Sequence, residues 1–106
     1  GFTMDKESIK IAKNFANKIR KKFMISKIIL FGSRARGDYF KNSDYDFIAV
    51  GNYFKGKPFI FRASEFYDYW DEKKDIEILC YTPEEFKRKS KEIGIVREAI
   101  KEGIEL

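Results

Sequence analysis

Two aspartates near the middle of the chain, Asp44 and Asp46, have a spacing that suits metal chemistry. They open a predicted strand over residues 44–50, and alternate residues of a strand point to the same face of a sheet. Two carboxylates so placed repel each other unless a cation lies between them, and a hard divalent ion such as Mg²⁺ prefers carboxylate oxygens. The spacing therefore predicts a magnesium site.

A second pair with chemical potential, Gly32 and Ser33, comes shortly before the aspartates. The short apolar run Lys27–Phe31 favours a buried strand that ends at Gly32, a residue that allows the backbone to turn closely against a ligand. We predict Ser33 as the N-cap of a short helix, whose free backbone N–H groups attract anions. This turn could therefore hold a phosphate group.

The short helix after Ser33 carries two arginines, Arg34 and Arg36, and is predicted to end at Gly37. Their positive charges, the Ser33 hydroxyl and the helix start would together favour the polyphosphate of a nucleoside triphosphate. Neither the Gly-Ser turn nor the acidic pair is specific alone, because turns and charged strand ends are common. Together they predict transfer of a phosphorus-centred group, in which two metal ions stabilise the attacking and leaving oxygens.

The elements predicted around these residues form a sheet covered by helices. Helical periodicity predicts helices over about residues 5–22, 59–70 and 95–102, a third strand covers 75–81, and Thr82 with Glu85 forms a capping box that begins another helix. The alternation of helices and strands points to the α/β or α+β class. We expect an α+β, sandwich-like domain over residues 1–106, with helices packed on a small mixed sheet of about four strands and the first two strands adjacent.

Composition excludes several kinds of catalysis. Histidine is absent and Cys80 is the single cysteine, so His-based triads, zinc clusters and internal disulfides are ruled out. No apolar stretch is long enough to span a bilayer, and we expect a cytoplasmic protein with no membrane partner. The net charge of +5 is compatible with a nucleotide, a nucleic acid or an acidic protein.

The segment from Gly32-Ser33 to Asp44-Tyr45-Asp46, with ten residues between, resembles the signature of the minimal nucleotidyltransferases of the DNA polymerase β-like superfamily. Arg34-Ala35-Arg36-Gly37 and Ser43 before the first aspartate also resemble that family. Further on, DIEILCYTPEEF and REAIKEGIEL are similar to its third strand and C-terminal helices. The resemblance covers the chain from about Lys10 and implies the nucleotidyltransferase fold.

The resemblance implies transfer of a nucleoside monophosphate, AMP from ATP, to a hydroxyl acceptor. It assigns two Mg²⁺ ions to Asp44 and Asp46, with a third carboxylate that shares the second ion or activates the acceptor hydroxyl. It assigns the nucleotide to a group of phosphate-side residues: Gly32, Ser33, Arg34, Arg36 and Ser43.

The third carboxylate has two candidates, Asp75 and Glu77, which share a face by strand alternation. The family usually carries aspartate here, and the similarity of the following Tyr81-Thr82-Pro83 favours Glu77. Glu77 is also expected in the strand interior, where a buried acid must be paired or bind a cation. Asp75 stays the alternative.

The resemblance also implies a partner: a helical HEPN-domain toxin, on which a tyrosine would receive AMP, so that this chain acts as an antitoxin. Five aromatic residues could form a docking patch, namely Tyr39, Phe40, Tyr53, Phe54 and Phe59. For most of them core packing or an ordinary loop position is the favoured interpretation. Two interpretations compete with the enzyme: a module that neutralises its partner by steric occlusion, and a less favoured nucleic-acid binder that uses the lysine-rich first helix. A homo-oligomer stays open.

Overall fold

A four-stranded mixed sheet forms the centre of the chain in a computed structural model that describes residues 6–38 and 43–106. The strands are β1 (Lys27–Phe31), β2 (Tyr45–Val50), β3 (Ile76–Tyr81) and β4 (Ile104–Glu105), and the helices are α1 (Lys6–Lys22), α2 (Ser33–Arg36), α3 (Pro83–Ser90) and α4 (Ile95–Glu102). β1 pairs antiparallel with β2 and β4, β2 pairs parallel with β3, and the spatial order is β3-β2-β1-β4. This arrangement confirms the predicted α+β class and the adjacent first two strands.

The two faces of the sheet carry separate apolar clusters. On one face, Phe47 and Leu30 belong to a cluster with Phe15 and Ile19 of α1. On the other face, Ile48 and its neighbours pack against α4, and this second cluster consists of Ile29, Ile48, Val50, Tyr81, Val96 and Ala99. Because side chains alternate along β2, Asp46 has the same orientation as Ile48. The candidate acid therefore lies on the α4 face of the sheet.

The prediction of a helix over residues 59–70 is wrong. This segment forms two short 3₁₀ turns, Phe59–Phe61 and Phe66–Tyr69. Its large side chains are held by different neighbours: the Phe59 ring lies 5.5 Å from that of Tyr81, whereas Phe66 is fully buried in the α1-side cluster. These tertiary contacts override the helical periodicity of the sequence.

Helix termini follow the sequence more closely. Thr82 accepts a hydrogen bond from the Glu85 backbone and Glu85 accepts one from the Thr82 backbone, so the predicted capping box is confirmed. Ser33 is not the N-cap of α2, because Gly32 occupies that position and its carbonyl accepts the first backbone bonds of the helix. Within the described ranges, no helix has the length and apolarity needed to cross a membrane.

A partly buried ion pair joins the 3₁₀ segment to α3. The Arg62 side chain is 8% exposed and donates to Glu85 Oε1 at 2.6 Å. This bond, more than any other interaction, lowers the pKa of Glu85 to about 2, so ionised Glu85 stabilises the fold above its ordinary pKa. That contribution should disappear as the pH falls from about 4.5 to about 2.

Glu85→Gln should lower the free energy of unfolding by about 2 kcal/mol at pH 7, because it leaves the Arg62 guanidinium without its carboxylate. Denaturant unfolding at pH 7 and pH 2 would measure this, and the difference from the wild type should shrink at the lower pH. Glu84→Gln is the control, because the Glu84 side chain is 68% exposed and its ion pair, with Lys55, is long at 3.6 Å. Equal effects of the two substitutions would contradict the assignment.

Candidate active site

The Gly32 turn lies directly against the carboxylate of Asp46. Phe31 pairs with Asp46 across β1 and β2, so the end of one strand meets the start of the next. Gly32 has a φ of +74°, and a Cβ at this position would lie 2.5 Å from Asp46 Oδ2. The structure thus brings together the predicted phosphate-binding turn and one aspartate of the predicted acidic pair.

Glu77 is the register partner of Asp46 on the neighbouring parallel strand β3. Burial raises the pKa of Asp46, and the negative charges of Glu77 and Asp44 raise it further, whereas the Arg36 guanidinium opposes them. Asp46 therefore carries charge that its surroundings do not fully compensate. The same negative field would favour a bound cation.

Asp75 is placed differently from Glu77. It precedes β3, its carbonyl oxygen accepts the Tyr45 N–H, and its side chain is not among the charges that shift the pKa of Asp46. Glu77 itself is exposed, so the expectation that it is buried in the strand interior is wrong. The reason is that the apolar cluster on this face of the sheet covers Tyr81 at the far end of β3 but does not extend to Glu77 near its start.

The donor set has the chemistry that Mg²⁺ prefers, since Asp44, Asp46 and Glu77 all offer carboxylate oxygens. Within residues 6–38 and 43–106, however, no three His, Cys, Asp or Glu side chains already form a group that could hold a metal ion. Asp46 is half-buried, whereas Asp44 and Glu77 are exposed. The carboxylates therefore have the ligand type that a hard cation requires, and they lie near one another. Their side chains are not arranged as a preformed metal site.

The two arginines of α2 have different surroundings. Arg34 is buried, and its guanidinium donates to Ser8 Oγ at 3.1 Å and to the Ser43 carbonyl at 3.0 Å. It also lies 4.5 Å from the ring of Tyr45, on the face of the sheet opposite Asp46. The structure thus does not bring Arg34 to the acidic residues, contrary to the expected contact with a polyphosphate. Arg34 instead fixes the backbone that leads into Asp44.

Arg36 is the arginine on the acidic side. It is exposed, and it lines a groove with Phe31, Gly32 and four residues of α4. Sequence reasoning missed these four as site residues: Ile95, Glu98, Ala99 and Glu102. A helical pattern identifies the apolar face of α4 but gives no signal for which acid lies beside a distant arginine. Only the packing of α4 on β1 reveals this wall of the groove.

The sequence pattern of the nucleotidyltransferase domain matches residues 12–102. The chain belongs to the nucleotidyltransferase domain family. Its 45-residue match to a "putative protein adenylyltransferase" of Methanocaldococcus jannaschii is 51% identical and covers 41% of this chain and 45% of that protein. The match thus spans less than half of the relative's length.

The nucleotidyltransferase fold also appears in a solved relative. The crystal structure of a "putative nucleotidyltransferase" from Sulfolobus solfataricus has a TM-score of 0.65 and 22% sequence identity to this chain, and the superposition covers 99% of this chain and 90% of that one. At this identity the likeness shows a shared fold. It confirms the fold expected from the sequence resemblance.

Two of the five aromatic residues considered for a docking patch pack in the core instead, as the core-packing interpretation predicts. Phe54 is fully buried, and Tyr53 packs against the core, so neither is available as a docking side chain. Phe59 remains about half exposed. Tyr39 and Phe40 lie outside the described residues.

Gly32→Ala should destabilise this nucleotidyltransferase domain by about 1–3 kcal/mol and weaken nucleotide binding. A Cβ both disfavours the positive φ and collides with the Asp46 carboxylate. Gly56→Ala is the matched control, because Gly56 has a similar φ of +77° with nothing within 4 Å of its added Cβ. Thermal unfolding and ATP titration of both variants would test this, and equal loss of binding would exclude a special role for the Gly32–Asp46 contact.

Proposed function

We propose that this domain transfers AMP from ATP to a hydroxyl group of a partner protein. The observation that carries the proposal is the contact between the Gly32 turn and the Asp46 carboxylate, with Glu77 in register beside it. A phosphate-type turn and a carboxylate group so placed match the needs of phosphoryl-transfer chemistry.

Different residues of the site would bind the nucleotide, hold the metal ions and position the backbone. Ser33, at the first position of α2, and Arg36 bind the triphosphate, and Asp44 and Asp46 would be the main Mg²⁺ ligands. Glu77 lies at the edge of this group, where its main role is toward the acceptor hydroxyl. When bound, two Mg²⁺ ions would neutralise the carboxylates and polarise the phosphate oxygens. Arg34 acts as a positioning residue, because it holds the Ser43 carbonyl immediately before Asp44.

The reaction balances as a displacement at the α-phosphorus of ATP. The acceptor oxygen forms a bond to that phosphorus, the bond to the β-phosphate oxygen breaks, and pyrophosphate leaves. Glu77 takes the hydroxyl proton, since it is exposed to an incoming acceptor and lies next to Asp46. The product is an AMP ester of the acceptor.

We propose a tyrosine of a HEPN-domain toxin as the acceptor, which makes this chain a cytoplasmic antitoxin. The sequence resemblance supports the tyrosine and the toxin, whereas the name of the Methanocaldococcus jannaschii relative, a "putative protein adenylyltransferase", supports only a protein acceptor. The domain also exposes apolar side chains that a protein could cover, with Ile60 at 80% and Phe61 at 64% exposure. A partner protein would supply the acceptor-binding surface.

ATP should bind weakly to the free domain in EDTA and at least tenfold more tightly with Mg²⁺ or Mn²⁺, because the carboxylates repel a triphosphate until a cation bridges them. Isothermal titration calorimetry measures the difference. Incubation with α-labelled ATP and a HEPN partner would then show whether the label is transferred to a tyrosine of the partner. Affinity unaffected by EDTA would contradict the metal assignment.

One observation favours a second candidate function, the neutralisation of a partner by occlusion. Glu77 stands where the resembled family usually carries aspartate, and the carboxylates of the described residues do not form a three-ligand metal group. Occlusion needs neither the metal nor nucleotide transfer. Incubating the partner with this chain in EDTA and no ATP separates the two. Full neutralisation under those conditions supports occlusion, whereas a requirement for ATP and metal supports transfer.

A further inference from the structure

The Arg36 guanidinium is held by two carboxylates from different parts of the chain. Its Nε lies 3.2 Å from Asp38 Oδ2, just after α2, and its Nη1 lies 3.3 Å from Glu102 Oε2, at the end of α4. Both partners of the Arg36–Glu102 pair have side chains about two-fifths exposed, at 42% and 41%. This pair thus bridges α2 and α4 at the surface.

The same pair lines the groove that reaches the Gly32 turn. Arg36 also acts electrostatically on Asp46, since its charge lowers the pKa of that carboxyl against the effect of its acidic neighbours. A phosphate chain bound at the Gly32 turn would therefore come within reach of Arg36. To bind the Arg36 guanidinium, the phosphate would have to compete with the Glu102 carboxylate, which already binds it.

We propose that Glu102 is the counter-ion that the polyphosphate of a nucleotide displaces from Arg36. This inference deepens the proposed function and rests on it. An exposed ion pair contributes little, so its opening is easy, whereas a phosphate offers stronger charge-assisted bonds to a guanidinium. Glu102 holds Arg36 pointing into the groove in the free chain and lowers its affinity for anions until the nucleotide arrives.

The groove contains a matched control. Glu98 lies one turn before Glu102 on α4 and lines the same groove, whereas Glu102 is the residue that bonds Arg36. Glu98→Gln and Glu102→Gln remove the same charge from the same wall. A general electrostatic effect would be similar in both variants, but release of Arg36 requires Glu102→Gln.

The experiment is calorimetric titration of tripolyphosphate in the presence of Mg²⁺, with ATP in parallel, at low ionic strength. Glu102→Gln should bind about three- to fivefold more tightly than Glu98→Gln, the range expected for an exposed ion pair. In an Arg36→Gln background the gain from Glu102→Gln should vanish, because the two side chains act through each other. Thermal unfolding would verify that all variants stay folded.

Equal affinities for Glu98→Gln and Glu102→Gln, or a gain that persists without Arg36, would overturn this inference alone. A wild-type chain that binds neither tripolyphosphate nor ATP would instead overturn the proposed function, and the inference with it.

Discussion

Asp46→Asn should reduce AMP transfer by about a thousandfold or more while making the free chain more stable. Transfer is lost because the substitution removes a carboxylate from the contact with Gly32 and from the proposed metal ligands. Stability rises because burial, Glu77 and Asp44 raise the pKa of Asp46, so its ionised form disfavours the folded state.

The pH dependence follows from that direction. A carboxyl whose pKa is raised in the folded chain costs stability once the pH exceeds its ordinary pKa, and the cost is complete above the raised value. At pH 7, the variant should therefore melt a few degrees higher than the wild type, and the difference should disappear in acid. Thermal unfolding across pH measures this, with the exposed Asp68→Asn as control. A large drop in melting temperature would instead make Asp46 a structural residue.

Glu77→Gln should lower the transfer rate by about a hundredfold or more with little change in ATP affinity, as expected for loss of a general base. Asp75→Asn should change the rate only a few-fold. The reason is the sheet register, which pairs Glu77 with Asp46 and leaves Asp75 before the start of β3.

Rates with α-labelled ATP, measured beside ATP affinity by calorimetry, would decide between the two acids. Glu77→Asp adds a useful comparison, because the resembled family usually carries aspartate at this position, and partial activity there would show that a carboxylate is required. A larger loss in Asp75→Asn than in Glu77→Gln would move the assignment to Asp75. Full activity in both would limit the catalytic acids to Asp44 and Asp46.

Local sequence signals predicted much of the fold. β1 and α4 have the predicted bounds, and the capping box at Thr82 starts α3 as expected, because each depends on a short apolar run or on capping chemistry between near neighbours. β4 was not located in advance. Its two residues carry no pattern of their own and pair with β1 through tertiary structure.

The sequence predicted which residue types form the site, but it predicted less well which of their side chains are buried and which are exposed. The Gly32 turn meets Asp46 because a strand and its antiparallel neighbour are joined by a short connection, which the sequence shows. The burial of Arg34 was not visible, because it depends on Ser8 of α1 and on the carbonyl of Ser43. Likewise, the exposure of Glu77 depends on how far the apolar cluster beneath α4 extends along β3, which periodicity does not reveal.

The parallel pairing of β2 and β3 also bears on the order in which the chain folds. β1 and β2 are antiparallel neighbours with a short connection, whereas β3 returns only after the long segment 51–75. Closing that longer loop costs more chain entropy, and non-local parallel pairing is slow. We therefore expect the β1–β2 pair and its contacts with α1 to form first. Glu77 reaches Asp46 late, so the repulsion between these acids opposes the last steps of folding rather than the formation of the nucleus.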